Sequence, residues 1–232
     1  MYILAFETTG KYGSVSLIND EGHIVTHSTD DNFNHLKEIT LLAEKCILDF
    51  DISKKDIFAV ASSIGPGSFT GIRIGVGTAR AVAQVLNIPC IAVKTLDSFK
   101  ELEENGVICP ILNARRGQVY GGIYKGNDDI LKSGPYMIKD VLEKLIIEKS
   151  DNVIFFGDGI DAYEDKIKEA MMEGNINFTF ADEGIRYQSS QLIAKAALKM
   201  YNRGEVIKYS ELTPEYMRKA EAQQKLEEGK FK

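Results

Sequence analysis

The chain has 232 residues, and 28 lysines and arginines against 34 aspartates and glutamates give a formal net charge of −6. Hydrophobic residues make up 44% and charged residues 27%, which is ordinary for a folded protein that forms one large domain or two compact halves. The acidic balance argues against a protein that binds nucleic acid by itself, while docking to nucleic acid within a larger assembly stays open.

The first part of the chain alternates between short apolar runs and turns. The runs predict three strands in an antiparallel meander, followed by an amphipathic helix in which apolar residues recur every three or four positions. Asn34 is a plausible N-cap for this helix. The predicted strands and helix are Tyr2–Phe6, Ser14–Ile18, Ile24–Ser28 and Leu36–Phe50.

A second strand–helix–strand unit follows and contains a glycine-rich loop. Ile57–Ile64 is predicted as a strand that enters the loop Gly65–Gly71. A helix then runs to about Leu86, and Ile88–Val93 is predicted as the next strand.

The second half repeats this order of elements. Its predicted strands and helices are Val107–Leu112, Gln118–Tyr124, Val141–Ile147, Val153–Phe156, Ala162–Met172, Asn177–Phe180 and Ser189–Asn202, with turns at 113–117 and 127–129. The repetition predicts an α/β fold of two stacked halves with mixed sheets, and function in the cleft between them. We divide the chain into an N-terminal lobe (1–100), a C-terminal lobe (101–188) and a C-terminal helix and tail (189–232). The helix is expected to pack back on the N-terminal lobe, and the tail from Glu215 to Lys232 is expected to fray.

Cysteine spacing and hydropathy suggest the compartment. Cys46, Cys90 and Cys109 are far apart and form no CxxC pair, which fits a reducing cytoplasm. No apolar run reaches the ~18 residues of a membrane span, and the N-terminus lacks a signal-type segment.

The loop Gly65–Gly71 fits neither standard phosphate-binding motif. No lysine follows it as in a P-loop, and its glycines are spaced G-x-G-x-x-x-G, one residue longer than the dinucleotide fingerprint. Free N–H groups at the start of a helix could still bind an anion, but an ordinary tight turn explains the same residues and is favoured on general grounds.

The helix after this loop has a face of small residues, because Gly71, Gly75, Ala79 and Ala83 stand four apart. Something must pack closely against such a face. It could be the chain's own sheet or first helix, or it could be a second protein chain, and the spacing alone does not choose between them.

Catalytic and metal-binding patterns are weak. His23 and His27 fall on a predicted strand, about 13 Å apart, so they cannot share one zinc ion. Glu7 ends the first strand, where turn chemistry is a commoner role than metal or phosphate binding. The segment Asn113-Ala114-Arg115-Arg116 could bind phosphate or RNA, or could be a solvated hairpin tip.

Four segments resemble one known family. They are Ile3-Leu4-Ala5-Phe6-Glu7-Thr8-Thr9, Gly65-Pro66-Gly67-Ser68-Phe69-Thr70-Gly71-Ile72-Arg73-Ile74-Gly75, Ala114-Arg115-Arg116-Gly117-Gln118-Val119-Tyr120 and Pro214-Glu215-Tyr216-Met217-Arg218. Together they resemble the bacterial TsaB (YeaZ) family, and the second segment is the most specific. The resemblance implies the two-lobed actin-like ATPase fold. It also implies a non-catalytic scaffold subunit in the formation of threonylcarbamoyladenosine at position 37 of tRNAs that read ANN codons.

The resemblance also concerns the catalytic relative of that family, TsaD, which carries an HxxxH metal site. Thr95 and Phe99 stand where its two histidines would be. Because phenylalanine cannot ligate a metal and a threonine hydroxyl is a poor ligand, we expect no metal site and no catalytic residue in this chain.

Partners follow from the same resemblance. It implies pairing with TsaD, contact with the small ATPase TsaE and with tRNA through the complex, and a homodimer when the chain is alone. No cofactor of its own is expected, although ATP or ADP could sit at the subunit junction. The implied partner interface comprises Leu36, Ile39, Gly71, Ile72, Gly75, Val76, Ala79 and Arg80. The implied nucleotide or anion contacts are Glu7, Thr8, Gly67, Ser68 and Arg115. Glu7 and Asn113 replace expected aspartates, which weakens any magnesium–nucleotide site.

The alternative hypothesis is a stand-alone small-molecule kinase or ATPase of the same fold. It needs a carboxylate pair around Mg²⁺ and phosphate, and Glu7 and Asp158 are the candidates. A third hypothesis, a metalloprotease, is disfavoured because this sequence lacks the spacing of metal ligands that such an enzyme needs.

Overall fold

A computed structural model describes residues 1–29, 35–102 and 106–217, with the side chains of residues 35–37 left aside. The strands are β1 (Tyr2–Glu7), β2 (Ser14–Asn19), β3 (Ile24–Ser28), β4 (Ile57–Ser63), β5 (Cys90–Val93), β6 (Val107–Arg115), β7 (Gln118–Lys125), β8 (Asp128–Met137), β9 (Val153–Phe156) and β10 (Phe178–Phe180). The helices are α1 (His35–Asp49), α2 (Phe69–Leu86), α3 (Ile138–Ile147), α4 (Gly159–Glu173), α5 (Glu183–Arg186) and α6 (Ser190–Asn202), and 3₁₀ turns lie at Lys54–Asp56 and Asp97–Glu101.

The first sheet has the order β3-β2-β1-β4-β5, with β1 antiparallel to β2 and parallel to β4. Side chains alternate across the central strand β1 because successive strand residues point to opposite faces. Leu4 and Phe6 pack in the cluster that contains α1 and α2, whereas Ile3 and Ala5 pack against α6. The central strand is therefore buried on both faces, which explains its continuous apolar sequence.

The second sheet repeats the first, with the order β8-β7-β6-β9-β10. Strand β6 is antiparallel to β7 and parallel to β9, as β1 is to β2 and β4. Helices α3 and α4 contribute to the core of this sheet, as α1 and α2 do in the first. The predicted fold class of two mixed-sheet halves is confirmed, and we call the two units the N-terminal and C-terminal lobes.

An aromatic cluster joins the lobes. Phe99, from the 3₁₀ turn between them, lies 5.8 Å from Phe156 of the C-terminal lobe, measured between ring centroids. Both rings are fully buried together with Tyr124, and Leu192 of α6 completes the contact. The connection between the lobes is therefore packed as core.

Strand β8 and the start of the C-terminal tail differ from the sequence prediction. The sequence predicts only a turn at 127–129 where the structure has strand β8. This polar edge strand contains a proline and lacks the alternating pattern that identifies a strand. Residues 215–217, at the start of the tail expected to fray, are packed against the lobes. Residues 218–232 and the N-cap assigned to Asn34 lie outside the described residues.

Within residues 1–29, 35–102 and 106–217, no helix combines the length and apolar character needed to cross a membrane.

Candidate functional site

The glycine loop between β4 and α2 forms a tight turn closed by its own contacts. Ser68 caps α2, and its Oγ accepts a hydrogen bond from Gly71 N at 3.2 Å. Ser68 N donates to Thr9 O at 2.9 Å, and Thr8 Oγ1 donates to Gly71 O at 2.7 Å. Several polar groups that could bind an anion are thus already bonded within the chain.

Gly67 can only be glycine in this arrangement. Its φ is +154°, and a Cβ at this position would lie 2.6 Å from Thr9 Cβ and from Thr9 O. The loop is therefore pressed against the end of β1, and the structure favours the tight-turn interpretation over an open anion cradle.

Glu7, at the end of β1, is fully buried. Its Oε1 accepts hydrogen bonds from the backbone N and the hydroxyl of Thr9. Its Oε2, together with Ser63 Oγ and Thr95 Oγ1, is buried without a hydrogen-bond partner among the residues that the structure describes. Burial raises the pKa of Glu7 above its ordinary value, and the bonds from Thr9 offset part of that rise.

Glu7→Gln is expected to stabilise the chain near neutral pH. Glutamine keeps an oxygen that can accept from Thr9 and removes a charge from a buried position. Burial raises the pKa of Glu7 in the folded chain above its value of about 4.3 in the unfolded chain. The stability of the wild type therefore falls as the pH rises from about 4.3 through the folded-state pKa. Urea unfolding should show the larger gain in stability of Glu7→Gln over the wild type at about pH 8. At about pH 4 this gain should shrink, because the Glu7 carboxyl group is then mostly protonated in both the folded and the unfolded chain.

The control for this experiment is Glu44→Gln, at an exposed position of α1, which should change stability by less than about 0.5 kcal/mol. A variant Glu7→Gln that is less stable than the wild type at both pH values would contradict the assignment of Glu7 as a buried charge that its hydrogen bonds compensate only in part.

The corresponding strand ends in the C-terminal lobe carry Asn113 and Asp158. Asp158 Oδ1 accepts from Asn113 N at 3.0 Å, and Asn113 Oδ1 accepts from Arg115 N at 2.8 Å. Burial raises the pKa of Asp158. Each of the two candidate carboxylates is engaged within its own lobe, Glu7 by the backbone and hydroxyl of Thr9 and Asp158 by the backbone of Asn113.

Arg115 lies at the exposed turn between β6 and β7. Its φ is +64°, and those of Arg116 and Gly117 are also positive. The side chain is exposed, and the turn geometry matches the hairpin-tip interpretation.

Packing fills the two positions that correspond to the metal ligands of the catalytic relative. Thr95 N donates to Gly65 O at 2.9 Å, and Phe99 belongs to the buried aromatic cluster between the lobes. Within the part of the chain that is described, no three His, Cys, Asp or Glu side chains come together as a metal site.

The partner interface predicted on α1 and α2 needs a correction, because most of its residues do not lie at the surface. Six of its eight residues are buried in the chain's own core: Ile39, Gly71, Ile72, Gly75, Val76 and Ala79. The small face of α2 meets β1 and β4, since a Cβ on Gly75 would lie 2.5 Å from Thr8 Oγ1 and 3.1 Å from Ser62 Oγ. Arg80 is half-buried, and the side chain of Leu36 lies outside the described residues.

A groove between α1 and α2 offers the apolar surface that these two helices do expose. Its volume is about 390 Å³, and we call it the helix-pair groove. It is lined by Leu4, Phe6, Thr40, Ala43, Glu44, Ile47, Lys54, Ile57, Ala81, Val82, Val85 and Leu86. Val85 is 84% exposed, and Leu41 and Leu48, one helical turn from Glu44, are 55% and 68% exposed.

Sequence reasoning missed this groove because it followed the small residues of α2. A related signal on the same helix was the spacing of Leu41 and Leu48, seven residues apart and off the buried stripe of α1, although neither leucine lines the groove itself. Two leucines at that spacing outside the core stripe indicate a second apolar face.

Comparison with known proteins gives consistent relatives. The sequence model of a family described as "TsaD: tRNA N6-adenosine threonylcarbamoyltransferase" matches residues 27–226. A Bacillus subtilis protein named tRNA threonylcarbamoyladenosine biosynthesis protein TsaB is 29% identical, with 97% of each chain covered.

Solved structures share the fold. YeaZ from Pseudomonas aeruginosa superimposes with a TM-score of 0.72 at 20% identity, covering 93% of this chain and 99% of that one. A putative N-acetylmannosamine kinase from Listeria monocytogenes gives 0.50 at 11% identity, covering 88% of this chain and 100% of that one. These likenesses confirm the two-lobed fold of actin-like ATPases and sugar kinases.

Proposed function

Since this chain belongs to the TsaD family, and within it to the TsaB (YeaZ) proteins, we propose that it takes part in forming threonylcarbamoyladenosine in tRNA. Its role in the proposal is that of a non-catalytic subunit, which binds and stabilises the catalytic threonylcarbamoyltransferase relative. The observation on which this proposal depends is the helix-pair groove, an apolar surface exposed on both α1 and α2.

The burial of the polar side chains at the end of β1 supports a non-catalytic role. Glu7 and Thr8 are fully buried, and Thr8 bonds to α2. A catalytic group must reach its substrate within hydrogen-bonding distance. Phe99, at the position of a metal ligand in the catalytic relative, has no atom that can coordinate a metal.

The helix-pair groove supports docking of a partner with a similar helix pair. Val85 of the groove lining is 84% exposed, and Leu48, elsewhere on α1, is also exposed; large apolar residues left in water on neighbouring helices are typical of interaction sites. The matched family region, residues 27–226, includes all of α1 and α2. A catalytic member of this family therefore has segments that correspond to both helices, and two such pairs can pack as a four-helix bundle.

The wider assembly forms part of the same proposal. The small ATPase TsaE and tRNA would be reached through the complex, and ATP or ADP would bind at the subunit junction. A second copy of this chain would occupy the groove when the catalytic subunit is absent, because its own α1 and α2 form the same kind of helix pair as the catalytic subunit.

Reconstitution tests the proposal directly. Threonylcarbamoyl transfer to tRNA is assayed with the purified chain alone, with a catalytic member of the family alone, and with the two together. We expect no transfer by this chain alone and higher activity or thermal stability of the catalytic subunit when the chain is added. Transfer by the isolated chain at an enzyme-like rate, about 1 s⁻¹ or faster, would contradict the proposal. Tight ATP binding with turnover would instead favour the small-molecule kinase.

A further inference from the structure

The segment that follows α6 runs back over the N-terminal lobe to the glycine loop. Cys90 and Ile207 exchange two backbone hydrogen bonds, of 2.8 and 2.9 Å, so the segment pairs with the edge strand β5. Leu212 is fully buried in the core of the lobe. Glu215 N then donates to Ile64 O at 2.8 Å, directly before the loop. The segment is thus held at three points along its length.

Tyr216 packs on the outer side of α2. Its ring stacks on Phe69, with the centroids 4.7 Å apart and the planes inclined by 11°. Its hydroxyl accepts a hydrogen bond from Arg73 Nε at 2.9 Å, and the guanidinium lies 5.7 Å from the ring centroid. A stacked ring, a hydrogen bond and a cation–π contact therefore fix one side chain to the N-terminal lobe.

Met217, the next residue, contacts the other lobe. It packs against a buried cluster of Leu96 with Leu112, Ala114 and Tyr120, the last three belonging to β6 and β7. Two neighbouring residues of the C-terminal segment thus contact different lobes, and a small crevice containing Pro66 and Gly67 lies among them.

The position of this contact matters for relative movement of the lobes. The aromatic cluster between the lobes includes Ile108, near the amino end of β6, whereas Met217 contacts Leu112 and Ala114, near its carboxyl end. At about 3.3 Å per residue, these contacts are roughly 13–20 Å apart along the strand. If the lobes rotated about the aromatic cluster, the contacts at the carboxyl end would have to separate.

We propose that Tyr216 and Met217 form an interlobe latch, which holds the two lobes closed over the glycine loop and must detach before the cleft between them can open. The latch covers the loop itself, since a Cβ on Gly65 would meet Glu215 O. It also joins two segments that are far apart in the sequence, Phe69–Arg73 and Glu215–Met217, into one contact.

The experiment compares the full chain with the double variant Tyr216→Ala/Met217→Ser. Spin labels are placed on cysteines introduced at Gly77 of α2 and Lys139 of α3, both exposed, while the native cysteines are buried. We expect one narrow distance distribution in the wild type and an added longer component in the variant. Hydrogen exchange of residues 64–72 and 113–119 should quicken at least about tenfold, with α1 unchanged.

Two further variants keep the test decisive. Thr213→Ala, at an exposed position of the same segment, should retain the wild-type distances and exchange. Arg73→Gln removes the bond to Tyr216 from an exposed side chain and should give a smaller change in the same direction, even if the double variant fails to fold. Wild-type distances and exchange in both latch variants, or faster exchange throughout both lobes, would overturn the proposal.

Discussion

Gly75→Leu is expected to destabilise the isolated chain by about 3 kcal/mol or more. A Cβ at Gly75 already lies 2.5 Å from Thr8 Oγ1 and 3.1 Å from Ser62 Oγ, so the rest of a leucine has no room. Adding bulk to a filled core costs about 1–3 kcal/mol and sometimes more. Moving Thr8 also breaks its buried hydrogen bond to Gly71 O, which costs about 1–3 kcal/mol. Urea unfolding followed by circular dichroism measures the change.

The same helix offers a matched control, Gly77→Leu. Gly77 lies two residues further on and is exposed, and a Cβ there would meet no atom of the described residues within 4 Å beyond its own helix. Leucine there should raise stability by up to about 1 kcal/mol, because it favours the helix more than glycine does. Equal unfolding midpoints for the two leucine variants would contradict the assignment of the small face to the core.

The small face of α2 shows how far sequence reasoning reaches. The four-residue spacing of glycine and alanine correctly indicates that something approaches this helix closely. It does not say what approaches, because that depends on which strand lies beneath the helix. The resemblance shifted the expectation toward a partner, whereas the structure places Thr8 of the loop after β1 and Ser62 of β4 against Gly75.

Most of the fold could be predicted because its elements have strong local patterns. The buried central strands are apolar runs, and α1, α2 and α6 have apolar residues at helical spacing. The duplication was visible in the order of elements without residue identity between the halves. Strand β8 could not be recognised, since its pairing with β7 supplies the stability that its polar sequence does not indicate.

The candidate site was less predictable than the fold. Glu7 was recognisable as an acid at a strand end, but its burial and the inward position of its carboxylate depend on residues distant in sequence, such as Ser63. The contact between Tyr216 and Phe69 joins residues that no local pattern relates. Both features arise from tertiary packing, which overrides local preference.

Leu48→Glu and Val85→Glu are expected to weaken pairing with the catalytic subunit at least about 100-fold each, which corresponds to about 2.7 kcal/mol. Leu48 is 68% and Val85 84% exposed in the isolated chain, so a charged side chain at either position stays in water and the chain should fold normally. Docking would bury that charge against an apolar surface without a partner, which is costly. Isothermal titration calorimetry with the purified catalytic subunit measures the affinity, and unfolding curves verify the fold.

The C-terminal lobe provides controls for these variants because it repeats the architecture. Ile147 of α3 and Met172 of α4 are 72% and 70% exposed, at helices that correspond to α1 and α2. Ile147→Glu and Met172→Glu introduce the same charge at similar exposure and should leave the affinity unchanged. If all four variants weakened binding alike, the lost affinity would reflect added negative charge on an acidic chain rather than a specific surface. If only Ile147→Glu and Met172→Glu weakened binding, the docking surface would belong to α3 and α4. The comparison is direct because both helix pairs expose large apolar side chains and differ only in the lobe that carries them.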